Sequence, residues 1–206
     1  MINEKIITTK EISEPKRIRE IMESNFSVCR TGDRAYLKGT KEATCSIITK
    51  LKLSDTDYYF VVVDENNNVF LSKMYYENFE VVLKKISKIS SEYKQNYDTF
   101  ESALSEAKEF RKKAMGELFD RNYENNERIV IRKFSHSEKE RESGKFVSKH
   151  KYRGNYYFIM KNRNDEYVVA KVIWFGFAKL IKLTEKEYEK NSKVFETWIS
   201  EANKKI

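Results

Sequence analysis

The chain has 206 residues, which fits one ordinary domain or two small ones of about 100 residues each. Its composition, 40% hydrophobic and 35% charged with six Gly and one Pro, is typical of a soluble, regularly patterned protein. The charged start lacks the apolar core of a signal peptide, and Lys residues interrupt the most apolar run, so we expect a cytoplasmic protein with no membrane partner. Cys29 and Cys45 form no CxxC pair, so we expect no metal and no cofactor.

The predicted elements follow a simple order after an N-terminal segment of residues 1–15. A helix comes first, because apolar residues recur at 18, 21, 22 and 26. Strands are predicted at 34–38 and 44–53, and the segment from Tyr58 predicts a hairpin with the polar turn DENNN, followed by an apolar run at 79–86. A closing helix follows, with Asp98 and Glu101 as its capping box.

The same order of elements returns nearly 100 residues later. Residues 58–84 align with 156–182 without a gap and share seven identities in 27 positions, where unrelated sequences give roughly two. Residues 92–108 align with 187–203 with eight identities in 17, and Thr184 with Glu187 repeats the capping box. These colinear blocks predict an α+β fold made by tandem duplication of a helix, antiparallel β-meander and helix unit of about 95 residues, with pseudo-two-fold symmetry.

The two predicted repeats are residues 16–112 and 113–206. No Pro and only Gly116 interrupt residues 100–119, so a continuous helix should join them. Within each hairpin one strand face holds Tyr59, Val61 and Val63 or their counterparts, in line with Lys73 and Lys171 on the next strand. A helix, the other repeat or a second subunit covers this face, or it is a binding platform, for which the candidate protein-interface residues are Tyr59, Tyr75 and Tyr167.

The net charge of +8 is concentrated in the second repeat. Residues 1–112 carry a net charge of +1 and residues 113–206 one of +7. Between residues 128 and 163, basic residues alternate with Phe, Tyr and His, a mixture that suits the phosphates and unpaired bases of single-stranded or structured RNA. The candidate nucleic-acid-binding residues are Arg128, Arg132, Lys133, Lys139, Arg141, Lys145, Lys149, His150, Lys151, Arg153, Tyr157, Lys161 and Arg163. The segment 135–154 is expected to be a flexible arm or a hairpin.

Catalysis has little support in the sequence. His136 and His150 could form an acid and base pair on RNA, which would give a small metal-independent ribonuclease. Asp55, Asp57 and Asp64 with residues 92–94 (EYK) imitate a metal-dependent nuclease, but that tripeptide is common in chains rich in Lys and Glu. Nucleotide-binding and hydrolase motifs are absent from the sequence, so no catalytic residue is assigned.

Two kinds of binding function remain. The leading hypothesis is a non-enzymatic protein that binds RNA or an RNA–protein complex through its second repeat; the alternative is a protein-binding inhibitor or adaptor that uses the aromatic faces. Runs such as KNRNDEYVV and ENNNVFLSKMYYENF resemble small proteins of phages and mobile elements with AT-rich genomes. That resemblance transfers no site residue, but it implies an inhibitor of a host nuclease, in the manner of anti-CRISPR proteins. Oligomeric state stays open.

Overall fold

In a computed structural model, the described residues are 14–38, 43–133 and 140–204. The helices are α1 (Glu14–Val28), α2 (Ser91–Gln95), α3 (Tyr97–Asp120), α4 (Glu185–Glu189) and α5 (Ser192–Asn203). The first five strands are β1 (Arg34–Leu37), β2 (Ala43–Lys52), β3 (Tyr58–Asp64), β4 (Val69–Glu77) and β5 (Glu80–Lys85). The second five are β6 (Arg128–Arg132), β7 (Arg141–Tyr152), β8 (Asn155–Lys161), β9 (Tyr167–Phe175) and β10 (Phe177–Lys182).

Each set of five strands forms a meander that closes into a small barrel. Neighbouring strands are antiparallel, and because the number of strands is odd, the first and last run the same way and pair in parallel. Leu37 meets Leu83 at the closure of the first barrel, and Arg132 meets Ile181 at that of the second. A β-bulge lies at the same place in β2 and β7, where it bends the long strand so that the sheet can curve. The described chain is therefore α+β, and its two similar sheets fit a duplication.

The barrel interiors are apolar and are each closed by a helix. Tyr58, Phe60 and Val62 point into the first barrel, where Met22 and Phe26 of α1 pack on them. In the second barrel the C-terminal part of α3 takes the place of α1, with Phe119 packed in the core cluster of Phe158 and Met160. The helical pattern before each strand region thus gives each barrel its end cap.

The outer faces of the hairpins are covered by the closing helices. Tyr59, Val61 and Val63 lie under α2 and α3, and Tyr157 and Ile159 lie against α5. Of the possibilities left open for this face, a helix covers it in both barrels. Tyr59 and Tyr157, which the sequence assigned to binding surfaces, therefore do not form an exposed platform, because their side chains are only 2% and 7% exposed.

The start of the closing helix also differs from the prediction. Two helices, α2 and α3, stand where one was predicted. The first of them, α2, begins after Ser90, whose side chain accepts a hydrogen bond from the Tyr93 amide. The longer helix α3 begins at Tyr97 after Asn96, which makes no side-chain capping bond. The capping box predicted at Asp98 is therefore wrong, whereas the one at Thr184 and Glu187 is confirmed.

The two barrels share one seam. The continuous helix α3 runs from the outer face of the first barrel into the mouth of the second, and Ile173, Trp174 and Phe175 of β9 join the same core cluster. At the seam the backbones at Gly32 and Gly176 touch: a Cβ on Gly32 would lie 2.9 Å from the Gly176 carbonyl oxygen. Both glycines have positive φ, and their counterparts away from the seam are Asn126 and Asn78, also with positive φ. Glycine therefore occupies this turn position where the backbones of the two barrels touch, and asparagine occupies it where they do not.

None of the helices in ranges 14–38, 43–133 and 140–204 is both long and apolar enough to cross a membrane.

Candidate nucleic-acid interface

Strand register brings basic residues of the second barrel into a row across three strands. Arg128 of β6 lies directly opposite Lys145 of β7, and Lys145 lies opposite Lys161 of β8. The row ends at Tyr167 of β9, opposite Lys161, whose Nζ is 5.0 Å from the Tyr167 ring centroid. These side chains point outward, because the alternate residues Ile129, Phe146 and Met160 fill the barrel.

A second cation pair lies farther along the same two strands. Arg132 of β6 is directly opposite Arg141 of β7, and Val130, which is 46% exposed, lies between the two pairs. We call the surface formed by Arg128, Arg132, Arg141, Lys145 and Lys161 the basic face. Arg163, which is exposed, borders it across a groove of about 320 Å³ lined also by Arg141, Ser143 and Asn162.

Three nearby carboxylates form ion pairs with cations outside the row of Arg128, Lys145 and Lys161. Glu127 pairs with Arg121 at 2.7 Å, Glu140 with Lys133 at 3.2 Å and Glu142 with Lys182 at 3.4 Å. Arg128 donates only a 3.3 Å hydrogen bond to the Ser143 hydroxyl among the described residues. Lys145, Lys161 and Arg163 form no ion pair within those residues. Like charges that lie opposite each other across strands are destabilising, so the row of cations lowers the stability of the fold.

The equivalent row of the first barrel has a different fate. Arg34, Ser46, Val63 and Val69 occupy the same register positions. Ser46 and Val63 are fully buried at the seam, where the second barrel and α3 cover them. Among the described residues, no neighbouring unit covers the equivalent row of the second barrel. In that row Lys145 stands at the position of Ser46, and Lys161 stands at the position of Val63. Two of the basic residues that distinguish the second repeat, Lys145 and Lys161, therefore lie on the uncovered counterpart of the seam.

Lys149 has a structural role that the sequence did not reveal. Its Nζ donates hydrogen bonds of 2.6 and 2.8 Å to the carbonyls of Phe119 and Arg121 at the C-terminal end of α3. Lys50 does the same for α1, with bonds to Phe26, Ser27 and Cys29. Because these carbonyls have no partner inside the helix, a lysine at this point caps it in both barrels. Lys149, predicted to bind nucleic acid, therefore does not belong to the basic face.

Several other predicted residues lie apart from the basic face. Lys151 and Arg153 lie at the far end of the β7–β8 hairpin, about 20 Å along the strand from Lys145. The Lys151 Nζ is 5.2 Å from the ring centroids of Phe119 and Tyr156, and Arg153 stacks over Tyr152. Lys133 faces Glu140, while Lys139 lies outside the described residues. The sequence predicts a flexible arm or a hairpin for the segment 135–154. Its described part forms strand β7 over Arg141–Tyr152, which makes a hairpin with β8, while residues 135–139 lie outside the described residues.

The tyrosines assigned to binding are largely internal. Tyr157, expected to contact RNA, is in the core under α5, and burial raises its pKa. Tyr59 is also buried, and its hydroxyl donates a 2.5 Å hydrogen bond to Glu92. Tyr75 is half-buried between Lys73 and Lys84, and Tyr167 is half-buried with its hydroxyl bonded to Asn203. Only Tyr167 adjoins the basic face.

The four acids of the metal-dependent nuclease pattern do not form one site: Asp55 pairs with Arg19, Asp64 accepts hydrogen bonds from Asn68, and the other two bind Lys73. Asp57 and Glu92 contact the Lys73 Nζ at 2.7 and 2.5 Å. Burial opposes charge on Lys73, but these hydrogen bonds outweigh it and raise its pKa. Lys171 and Glu187 repeat this pair in the second barrel. Within ranges 14–38, 43–133 and 140–204, no three His, Cys, Asp or Glu side chains are grouped as metal ligands would be.

Sequence reasoning missed an aromatic cleft beside the basic face. The ring of His150 stacks on Trp198 of α5 with centroids 4.3 Å apart and an interplanar angle of 4°. The other member of the predicted catalytic pair, His136, lies outside the described residues. The counterparts of His150 and Trp198 in the first repeat are Leu51 and Ala103, which is a difference that aligning the repeats could have flagged.

Comparisons with known proteins gave no match to a protein-family model, a curated protein or a solved structure.

Proposed function

We propose that the protein is a non-enzymatic binder of RNA, free or within an RNA–protein complex, and that the basic face of the second barrel is its contact surface. The row Arg128, Lys145 and Lys161 is the observation that carries the proposal. Each like-charge pair opposite across strands costs about 0.2–1 kcal/mol, and a chain of phosphates would remove that repulsion. The uncovered position of the row, whose counterpart is buried at the seam, supports the same conclusion.

The fold history that we infer is a tandem duplication followed by divergence of one face. The ancestral face would dock a neighbouring unit, as Ser46 and Val63 still do in the first barrel. In the second barrel the same positions became lysines, which exclude an apolar neighbour and attract a polyanion. A protein that covers RNA in this way could inhibit an RNA-guided nuclease by occupying the guide RNA, as the resemblance to phage proteins implies.

The test is the salt dependence of binding to a labelled, unstructured RNA oligonucleotide between about 50 and 200 mM salt. The variant carries Lys145→Glu and Lys161→Glu together. Each lost phosphate contact should reduce the slope of log affinity against log salt by about 0.7, so the double variant should lose about 1.4. We expect its affinity at low salt to fall at least about tenfold.

The matched control is Lys112→Glu with Lys113→Glu on α3. Both lysines are exposed, and the net charge changes by the same amount. If the two double variants weaken binding equally, net charge and not the basic face is responsible. Absence of salt-dependent binding by the unmodified protein would refute the proposal, and a partner that stays bound after nuclease treatment would favour the protein-binding alternative.

The single variant Lys161→Glu separates function from folding. It places a carboxylate opposite Lys145, so a repulsive pair becomes an attractive one and stability should rise by about 0.2–1 kcal/mol. RNA affinity should fall in the same variant. A loss of both stability and affinity would show that Lys161 serves the fold.

A further inference from the structure

The second barrel contains a cleft with aromatic walls and polar edges. It has a volume of about 270 Å³ and lies between the loop before β6, strand β7 and helix α5. Tyr123 and Trp198 supply aromatic surface, while Asn125, Ser148 and Glu201 supply polar groups. Binding pockets for small planar groups commonly combine apolar walls with a few polar groups in this way.

The aromatic residues of the cleft are firmly oriented. Trp198 stacks on His150, and Tyr152 approaches it edge-on with an interplanar angle of 82° and ring centroids 6.0 Å apart. The His150 Nε2 is 3.0 Å from the Ser148 hydroxyl. Tyr123 stacks on Phe146 at 5.1 Å. A planar ligand would therefore meet aromatic groups that are already held in place, which lowers the entropic cost of binding.

Within the part of the chain that the structure describes, the stacked side chains that form the cleft, His150 and Trp198, have no equivalents in the first barrel. In the first barrel the position of Trp198 is taken by Ala103, which is buried, and that of His150 by Leu51, which packs on the same core. The helix therefore lies directly on the sheet there. The cleft, like the lysine row, distinguishes the second repeat from the first.

The cleft also continues from the basic face. Phe146, in its lining, follows Lys145 along β7, and Asn125 precedes Arg128 by three residues. Backbone hydrogen bonds join the two linings: the amide of Asn126 donates to the Phe146 carbonyl at 3.1 Å, and that of Phe146 donates to the Glu127 carbonyl at 2.7 Å. A nucleic-acid strand with phosphates on Arg128 and Lys145 would have its next base within reach of the cleft.

We propose that the cleft takes an unpaired nucleobase of the RNA strand that lies on the basic face, so that the ligand is single-stranded at this point. This inference rests on the proposed function. Trp198 provides stacking surface, which is available to any base, while Tyr123, held between Phe146 and Arg121, forms the wall beside it. Glu201 and Asn125 face the base edge, and since a carboxylate only accepts hydrogen bonds, Glu201 favours a base with an exocyclic amino group.

The experiment compares three probes on the full chain: oligocytidine RNA, oligouridine RNA and an abasic oligonucleotide of the same length. Binding is followed by tryptophan fluorescence and by anisotropy of a labelled strand. Trp198 is partly exposed, whereas Trp174 is 2% exposed in the seam, so quenching reports on the cleft. We expect RNA with bases to quench the fluorescence, the abasic strand to leave it unchanged, and oligocytidine to bind about fivefold or more tightly than oligouridine.

Two variants of the cleft and one control variant complete the test. Trp198→Leu should weaken RNA binding by about five- to a hundredfold with no change in the salt slope, while Trp174→Phe should leave affinity unchanged. Glu201→Gln, at an exposed position that does not threaten folding, should abolish the preference for cytidine. If the abasic strand binds as tightly as RNA and neither variant changes affinity or preference, the cleft assignment is overturned while the proposed function stands. If no probe binds, both fail.

Discussion

The approach of Gly32 to Gly176 predicts that a single side chain at the seam will destabilise the whole protein. We consider Gly176→Asn. The φ of Gly176 is 80°, a left-handed value that asparagine adopts readily, as Asn78 does at the equivalent turn of the first barrel. The change therefore introduces little backbone strain and tests the contact itself.

The expected magnitude follows from the geometry of the contact. A Cβ on Gly176 would lie 3.0 Å from the Gly32 carbonyl oxygen, and because that atom belongs to the backbone, it cannot rotate away. The barrels must separate slightly, which disturbs the packing of Trp174 and Phe175 against α3 and the first barrel. Overpacking of this kind costs about 1–3 kcal/mol. At about 2–4 °C per kcal/mol, the melting temperature should fall by about 2–12 °C.

The assay is thermal and urea unfolding followed by tryptophan fluorescence, since Trp174 lies in the seam. Gly154→Asn is the control: Gly154 has a φ of 75°, and no atom lies within 4 Å of its Cβ position. That variant should be neutral or slightly stabilising, by up to about 1 kcal/mol, because it reduces the entropy of the unfolded chain. If the two variants shift the unfolding midpoint equally, close backbone approach does not determine the seam.

Three further predictions concern other parts of the chain. Lys149→Met should lower stability by about 1–2 kcal/mol in equilibrium unfolding, because α3 loses its C-terminal cap. The variant should leave the salt slope of RNA binding unchanged. A reduced slope would show that Lys149 contacts the RNA. Arg111 is 5% exposed; its Nη2 donates a hydrogen bond to the Asn67 side-chain oxygen, but its Nε has no partner in the described part of the chain. Arg111→Met removes this bond together with a buried charge and should change stability by less than about 1 kcal/mol, whereas Arg111→Ala also leaves a cavity and should cost about 2–4 kcal/mol by urea unfolding. Equal losses would show that the charge matters. Stability should fall as the pH rises through 9.0, because burial raises the pKa of Cys45 from 9.0 to about 12 and raises that of Tyr93 above 10.0, so the unfolded chain loses these protons first. A urea midpoint that stays constant between pH 9 and 11 would contradict this.

The sequence by itself determined the elements and their order. Apolar spacing located α1, the apolar runs YYFVVV and YYFIM before the polar turns DENNN and NRNDE located the central hairpins, and the lack of Pro predicted the long helix α3. These signals are local, since they depend on residues a few positions apart along the chain. The colinear repeats likewise indicated two similar units, and the observed sheets agree with that.

The tertiary structure alone decided which residues share a surface. A list of basic residues does not tell that Lys145 and Lys161 are neighbours across strands while Lys149, four residues on, caps a helix. Strand register depends on barrel closure and on the bulge near Val147, which are non-local features. For the same reason, only the fold showed that Ser46 and Val63 are buried at a seam and that their counterparts in the second barrel face outward as a row of cations.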